Sequence, residues 1–340
     1  MGTPSISELL EQIRKRPGMF IGSIRKEGLM YMLENLFEEL LSEAEEEPVF
    51  ELDFYPGNHL LLKASSLSTQ SLASVLSGDG SDRPYRLGLL VVLALSERAE
   101  IRSGDLCWQA KNGVLQGRVS SSNTTAVNTI LDFTPDPFIF KDYSICYDDL
   151  LTFLRQFAYL NPGLRLACSD HPSAQRNVFH YPRGIFDQLH HYIHPFGHEF
   201  PTVEIEAEAN GYSYQIGICP HFGLASSTIK TYAGNDYLSQ GGSLEEGILN
   251  GVKKAFLIYA SKHQIPVKIS VQKTRNYCTV LAVIKGKDFI FASPDRSKLG
   301  MPHVQHAVTS IVCNELLRWM EQDHVLAERL LSHFCDSSEF

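Results

Sequence analysis

The chain has 340 residues, 44% of them hydrophobic and 20% charged, with a formal net charge of −9. That length suffices for two domains with cores of their own or one large one, and the composition is that of a soluble globular protein. The acidic balance excludes an overall basic footprint for nucleic acid, and the longest apolar run, Leu87 to Leu95, is too short to span a bilayer and reads as a buried helix.

Ser5-Ile6-Ser7-Glu8 has the Ser-x-x-Glu form of a capping box, so a helix is expected from about Ser7 to Arg16. The stretch IRKRPGMFIGS, Ile13 to Ser23, sets three basic residues against Pro17-Gly18, with Gly22 after an apolar triplet. Proline stops the helix and glycine admits conformations that other residues avoid, which gives a helix end and a shaped loop. A P-loop would need Gly-Lys-Ser/Thr after a strand, and none is present here. A second helix follows Gly28, with Leu29, Leu33, Leu36, Leu40 and Ala44 as its buried stripe, and the acidic run Glu43 to Glu47 reads as a solvated helix end. Alternation from Val49 to Ser65 gives a hairpin turning at Pro56-Gly57-Asn58, and the Ser-, Gly- and Asp-rich residues 65–84 read as a loop with one helical turn.

After the apolar helix, strands joined by a Lys111-Asn112-Gly113 turn are expected between Arg98 and Val119. Helices follow at Tyr147–Leu160, stopped by Asn161-Pro162-Gly163, and at Ile185–Ile193, stopped by Pro195. From Pro201 the texture changes. Two alternating segments meet at Asn210-Gly211, a loop carries Gly241-Gly242, and a helix runs from about Leu244 to His263. Strands are expected at 267–273 and 278–291, and a long helix from about His303. The change near Pro195 divides the chain into 1–196 and 197–340, with no low-complexity linker and no internal repeat.

Five motifs stand in order along this frame: RKRPGMFIG at 14–22, GLLVVLALSE at 88–97, FAYLNPG at 157–163, FHYPRGI at 179–185 and GGS at 241–243. On these the chain resembles the ATPase and transducer regions of the B subunits of bacterial DNA gyrase and topoisomerase IV, whose signature is RKRPGMYIG and whose loop reads Gly-Gly-Thr. The resemblance implies an α+β fold. A GHKL-type α/β sandwich that binds ATP would occupy 1–196, and a transducer domain of the ribosomal protein S5 domain 2-like type would occupy 197–340, ending in a long helix. It does not extend to the family's metal-binding Toprim region, so this chain alone is expected not to cleave or rejoin DNA.

The resemblance also implies a glutamate that polarises the attacking water and, one turn later, an asparagine that holds Mg²⁺. Spacing of i and i+4 places both on one helix face. Counted from Gly28-Leu29, these positions are Asn35 and Glu39, the pair in reversed order. An amide is not a base, and a carboxylate beside triphosphate repels it unless a metal intervenes. The adenine-binding aspartate falls on Ser65, followed by Ser66-Leu67-Ser68 in place of Gly-x-Gly. The glycine-rich lid is reduced to DRPYRLG, 82–88, which keeps only Gly88, so a cradle of backbone amides for phosphate is not expected. The Gln-Thr-Lys loop that reaches the γ-phosphate corresponds to SPDRSKLG, 293–300, leaving Arg296 and nearby Lys298 as the phosphate contacts that could persist. Set against this, a solvated polar face accounts for Asn35, Glu38 and Glu39, and a surface loop for Arg296.

The combined departures imply a pseudo-ATPase without a cofactor, acting as a regulatory or protein-interaction factor in a DNA-associated process, with topoisomerase subunits or DNA-associated machinery as partners. The alternative is an active motor subunit of a split type IIA topoisomerase-like assembly. In that case ATP and Mg²⁺ bind, Glu34, Glu38 or Glu39 replaces the base, and Asn35, Glu39, Ser65, Gly88, Arg296 and Lys298 line the nucleotide. Only twelve residues precede Ile13, where the family has an arm exchanged between subunits, so ATP-clamped dimerisation is not expected, while a homodimer stays among the assemblies considered. Without a dense basic stripe, direct DNA binding is expected to be weak or nil.

Other candidates carry less. His190, His194 and His198 are spaced four apart, but Pro195 interrupts them and no Glu stands between them as in His-Glu-x-x-His. Ser270 to Lys273, SVQK, matches the Ser-x-x-Lys of penicillin-interacting enzymes but falls on an expected strand. Ile311, Leu316, Leu317, Trp319 and Met320 read as core or a helix-packing seam. Cys107, Cys146, Cys168, Cys219, Cys278, Cys313 and Cys335 are odd in number and free of Cys-x-x-Cys pairs, and with no secretory signal ahead of them they imply reduced thiols in a cytoplasmic protein.

Overall fold

Ser5 opens the first helix, α1 (Ile6–Lys15), with the expected capping box: its hydroxyl accepts from the Glu8 N–H at 3.3 Å, and the Glu8 carboxylate accepts from the Ser5 N–H at 2.7 Å. The computed structural model describes residues 5–44, 47–65, 87–120, 129–141, 144–194, 201–221 and 228–334. Most of the serine-rich stretch, most of the lid, and Pro195, His198 and Cys335 lie outside the described residues. The chain divides into two units, Met1–Pro182 and Arg183–Phe340.

In the first unit, a single further helical turn, α2 (Gly18–Ile21), forms where the sequence suggested only a loop. Pro17 takes a helical backbone and serves as its cap, and Gly22, at φ 70°, ends it. Helix α3 (Lys26–Ser42) then buries Leu29, Met32, Leu33, Leu36, Phe37 and Leu40. Its glycine is forced, because a Cβ on Gly28 would stand 1.7 Å from the Ser23 carbonyl oxygen. Strands β1 (Val49–Tyr55) and β2 (His59–Ala64) form the expected hairpin around a tight turn with Gly57 at φ 77°.

Helix α4 (Gly88–Leu95) is followed by β3 (Ser96–Ser103), β4 (Leu106–Lys111), β5 (Val114–Ser120) and β6 (Thr129–Pro135). Helix α5 (Tyr147–Leu160) and the hairpin β7 (Arg165–Asp170) and β8 (Gln175–His180) complete the unit. The eight strands make one sheet in the order β5-β4-β3-β6-β2-β1-β7-β8, with β7 parallel to β1. Strict burial alternation along β1, β2 and β6 turns one face to solvent and the other to a core shared with α1, α3, α4 and α5.

The second unit begins with α6 (Ile185–Ile193), then β9 (Val203–Ala209) and β10 (Tyr212–Pro220), joined at Asn210-Gly211 with both residues at positive φ. Helix α6 packs on this sheet, since a Cβ on Gly217 would meet Leu189 at 2.8 Å. The division therefore precedes α6, whereas the change of sequence texture comes after it, near Pro195. Strands β11 (Ile229–Ala233) and β12 (Asp236–Tyr237) precede helix α7 (Ser243–Lys262).

Residues 267–273 are not a strand: Ser270 caps a short helix, α8 (Val271–Asn276), by accepting from the Lys273 N–H at 3.1 Å. The SVQK motif does start a helix, and its serine is engaged as the cap. Strand β13 (Cys278–Lys285) completes the order β12-β11-β13-β10-β9. The long C-terminal helix is two, α9 (Pro302–Gln322) and α10 (His324–Phe334), because Asp323 leaves helical geometry and caps the second by accepting from Leu326 N–H at 2.9 Å. Helices α7 and α9 touch at Gly247 and Gly251, whose Cβ atoms would meet Val308 and Val312 at 3.0 and 2.7 Å.

Two outcomes follow. Gly28→Ala should destabilise the first unit by about 2–4 kcal/mol in urea unfolding, because the new Cβ would overlap the Ser23 carbonyl and the backbone must shift to clear it. On the solvent face of the sheet, burial opposes ionisation of Asp53, but hydrogen bonds from Lys63 and His171, with their charges, outweigh it and lower its pKa. A lowered carboxylate adds stability above its unfolded value of about 4 and loses it as pH falls through the folded value. Asp53→Asn should therefore cost stability at pH 7 and leave it nearly unchanged once Asp53 is protonated, as read by urea midpoints across pH.

Candidate functional site

The site of the first unit is built around α4. All eight of its residues are buried and apolar, so its backbone ends are its only polar handles. Its own cap position, Leu87, supplies no side-chain hydrogen bond. Glu39 of α3 supplies one instead: the side chain is 5% exposed, and Oε2 accepts from the Leu89 N–H at 2.8 Å. Gly88 lets the two helices close, for a Cβ there would lie 2.5 Å from the Asn35 carbonyl oxygen and 2.8 Å from Glu39 Oε2. Glu39 is thus not on a solvated face. Lying off the leucine stripe, it reaches a buried helix start that sequence periodicity does not reveal.

At the other end of α4, Arg14 donates to the Ala94 carbonyl at 2.8 Å and pairs with Asp136. Asp136 is fully buried and accepts from the Phe138 N–H at 2.8 Å through its other oxygen. A carboxylate at the N-terminus and a guanidinium at the C-terminus both oppose the helix dipole. Arg14 is the first residue of RKRPGMFIG, and the motif was the one signal that could have marked it.

The remaining expected residues fall into two groups. Asn35, Glu39 and Gly88 come together between α3 and α4, with Asn35 and Glu34 half-buried and Glu38 exposed. Ser65 closes the end of the β1–β2 hairpin: its hydroxyl accepts from the Val49 N–H at 3.0 Å, and its N–H donates to the Val49 carbonyl at 3.0 Å. Arg296 and Lys298 belong to the second unit. Arg296 donates from Nε and Nη2 to Asp236 Oδ2 at 3.1 and 2.6 Å, and its guanidinium lies 4.4 Å over the Phe291 ring. Lys298 is half-buried, and its N–H donates to Ser293 Oγ at 3.1 Å.

The loop holding Arg296 is knitted to itself. Ser297 donates to Asp295 at 2.7 Å, and this bond, with one from Ser293, lowers the Asp295 pKa. Gly241-Gly242-Ser243 anchors the same loop, since the Ser243 N–H donates to the Leu299 carbonyl at 2.9 Å and the Met301 N–H donates to Ser243 Oγ at 2.8 Å. Gly242, at φ 105°, has no room for a side chain: a Cβ would stand 2.3 Å from that carbonyl oxygen. Of the histidines, His190 bonds Glu204 at 2.8 Å, and no cluster of three or more His, Cys, Asp or Glu side chains fit for a metal occurs among the described residues.

A family model described as DNA gyrase B matches residues 188–339. The DNA gyrase B protein of Halalkalibacterium halodurans is 26% identical over 363 aligned positions, covering 96% of this chain and 57% of that protein. The chain resembles DNA gyrase B along nearly its whole length. It spans about half the length of the curated relatives it matches. Among solved structures, the gyrase B protein of Myxococcus xanthus matches with a TM-score of 0.81 at 22% identity, covering 96% of this chain and 99% of that one. The 43K ATPase domain of Thermus thermophilus gyrase B, solved in complex with an aminocoumarin, matches at 0.78 and 20%, covering 95% and 93%. The fold is accordingly α+β, a GHKL-type module followed by a transducer-type one, as the motifs implied. No described helix is long and apolar enough to cross a membrane.

Removing either end of the α4 bracket should be felt in stability. Arg14→Met leaves Asp136 buried without its cation and should lose about 3–5 kcal/mol, whereas Glu39→Ala strands a buried N–H and should lose about 1–3 kcal/mol. Urea unfolding of the two variants checks both the losses and their order.

Proposed function

We propose that this gyrase B-like ATPase and transducer module is a pseudo-ATPase that serves as a regulatory or protein-interaction factor in a DNA-associated process. The observation that carries the reading is the Glu39 carboxylate on the first turn of α4. At the position where the resemblance puts the Mg²⁺-holding asparagine, a buried negative charge already accepts a backbone N–H of the kind that would otherwise face phosphate. A triphosphate arriving there meets like charge, and Asn35, at the position of the base, has no proton-accepting group of the required strength.

Two further placements support it. Ser65 uses its hydroxyl on Val49 rather than presenting a carboxylate to adenine, and the Arg296 charge is met by Asp236 within its own unit. The family's succession of an ATPase-type domain and a transducer is part of the proposal, as is a cytoplasmic, bacterial setting. Partners would be proteins, among them topoisomerase subunits or a second copy of the chain, with weak or no direct contact to DNA.

Calorimetric titration with a non-hydrolysable ATP analogue and Mg²⁺ tests the reading. No heat is expected up to millimolar nucleotide, which bounds the binding free energy at about 4 kcal/mol or less, and no phosphate should be released from ATP. Micromolar binding that weakens in Arg296→Ala, or turnover that falls in Glu34→Gln or Glu38→Gln, would instead establish the active motor subunit.

A further inference from the structure

Asp170 ends β7 and sits opposite Phe54 of β1 and Gln175 of β8. It is 8% exposed. Its Oδ2 accepts from the Ser173 hydroxyl, but Oδ1 is buried without a hydrogen-bond partner among the described residues. No Lys, Arg or His side chain pairs with it there. Lys63 and His171 both pair with Asp53, which stands in register with Ser169 and so lies on the opposite, solvent face, and Arg176 of β8, also opposite Ser169, pairs with Glu51. A carboxylate taken out of water with no counter-charge and an unfilled oxygen is among the costlier arrangements a fold can hold.

Neutral oxygens lie in the same corner. The Tyr147 hydroxyl lies 2.9 Å from the Cys168 carbonyl oxygen and 3.1 Å from Asn177 Oδ1. One hydroxyl proton can serve only one of these oxygens at a time. Asp170 faces this same corner, since it shares the inward face of β7 with Cys168, which stands opposite Asn177; burial, then Cys168, then the Asp170 charge push the Tyr147 phenol up to about 12. The Cys168 thiol is likewise raised to about 12, chiefly by burial, so it stays neutral and offers no thiolate for a soft metal.

One anionic oxygen with neutral carbonyl, amide and hydroxyl oxygens is a donor set for a hard cation, and a single carboxylate balances a single positive charge. We propose that Asp170, with the Cys168 carbonyl, the Asn177 amide oxygen and the Tyr147 hydroxyl, holds one alkali-metal cation, Na⁺ or K⁺. The ion would neutralise the buried carboxylate and tie the β7–β8 hairpin to the start of α5. A divalent ion would leave an uncompensated charge on the same ligands.

Thermal unfolding of the full chain in NaCl, KCl and choline chloride at equal ionic strength tests this. At least one alkali salt should raise the midpoint over choline by about 2–4 °C, and the gain should vanish in Asp170→Asn. Equal midpoints in all three salts, a gain preserved in Asp170→Asn, or stabilisation by Mg²⁺ or Ca²⁺ alone would overturn it. If Asp170→Asn is as stable in every salt as the wild type, the carboxylate holds no ion and the site is refuted. Should that variant fail to fold, thallium NMR on the wild-type chain decides: a bound Tl⁺ signal displaced by Na⁺ or K⁺ is expected, and its absence refutes the site.

Discussion

A buried helix without a single polar side chain is held by charge at its two ends, and the first unit is organised around that fact. The backbone groups at the ends of α4 cannot reach water, so each must find a partner inside the protein. Glu39 accepts at one end and Arg14 donates at the other. Because Glu39 comes from α3, Arg14 from α1, and Asp136 from the turn after β6, the bracket fastens two helices and the sheet to a third helix. The sign of each charge suits the helix dipole, and Asp136 in turn keeps Arg14 from being a lone cation against the core.

The second unit solves a different problem, that of bringing backbones close. Gly247 and Gly251 let α7 and α9 meet where any Cβ would strike Val308 or Val312, and Gly217 does the same for α6 over β10. At Gly242 the constraint is both conformational and steric, and it fixes the loop bearing Arg296 through Leu299. At that loop Asp236 of β12 meets the Arg296 guanidinium, and the Ser293 and Ser297 hydroxyls meet Asp295. The Arg296 charge is thereby met inside its own unit.

Most of the frame was legible in the sequence, for reasons that can be named. The capping box at Ser5, the turns at Gly57, Asn112-Gly113 and Asn210-Gly211, and the helices at Tyr147–Leu160 and Ile185–Ile193 are local devices, each written in a few adjacent residues. Where sequence reading failed, the deciding partner was distant or the signal was shared between two structures. The apolar alternation at 267–273 suits a strand until Ser270 is seen to cap a helix, and a helical pattern running past Gln322 hides the break at Asp323. At the site, periodicity placed Glu39 off the leucine stripe correctly, yet its burial depends on a helix start fifty residues away. Asp170 gave no sign at all, since nothing in CSDHPS distinguishes an inward carboxylate from one in solvent.

The resemblance to gyrase B and the geometry of Glu39 bear on each other through competition for one group. The N–H of Leu89 can be satisfied by a carboxylate from within or by an anionic ligand from outside, but not by both at full strength. With Glu39 in place, an incoming phosphate would have to displace a buried carboxylate. With an amide at that position, as the family pattern has it, the first turn of the helix would stay open to a ligand, and part of its stability would arrive only with that ligand. On the reading proposed above, then, a single change from amide to carboxylate makes α4 self-sufficient and its anion seat unavailable by the same hydrogen bond. Arg14, the first residue of RKRPGMFIG, serves the helix in either case through the Ala94 carbonyl and Asp136.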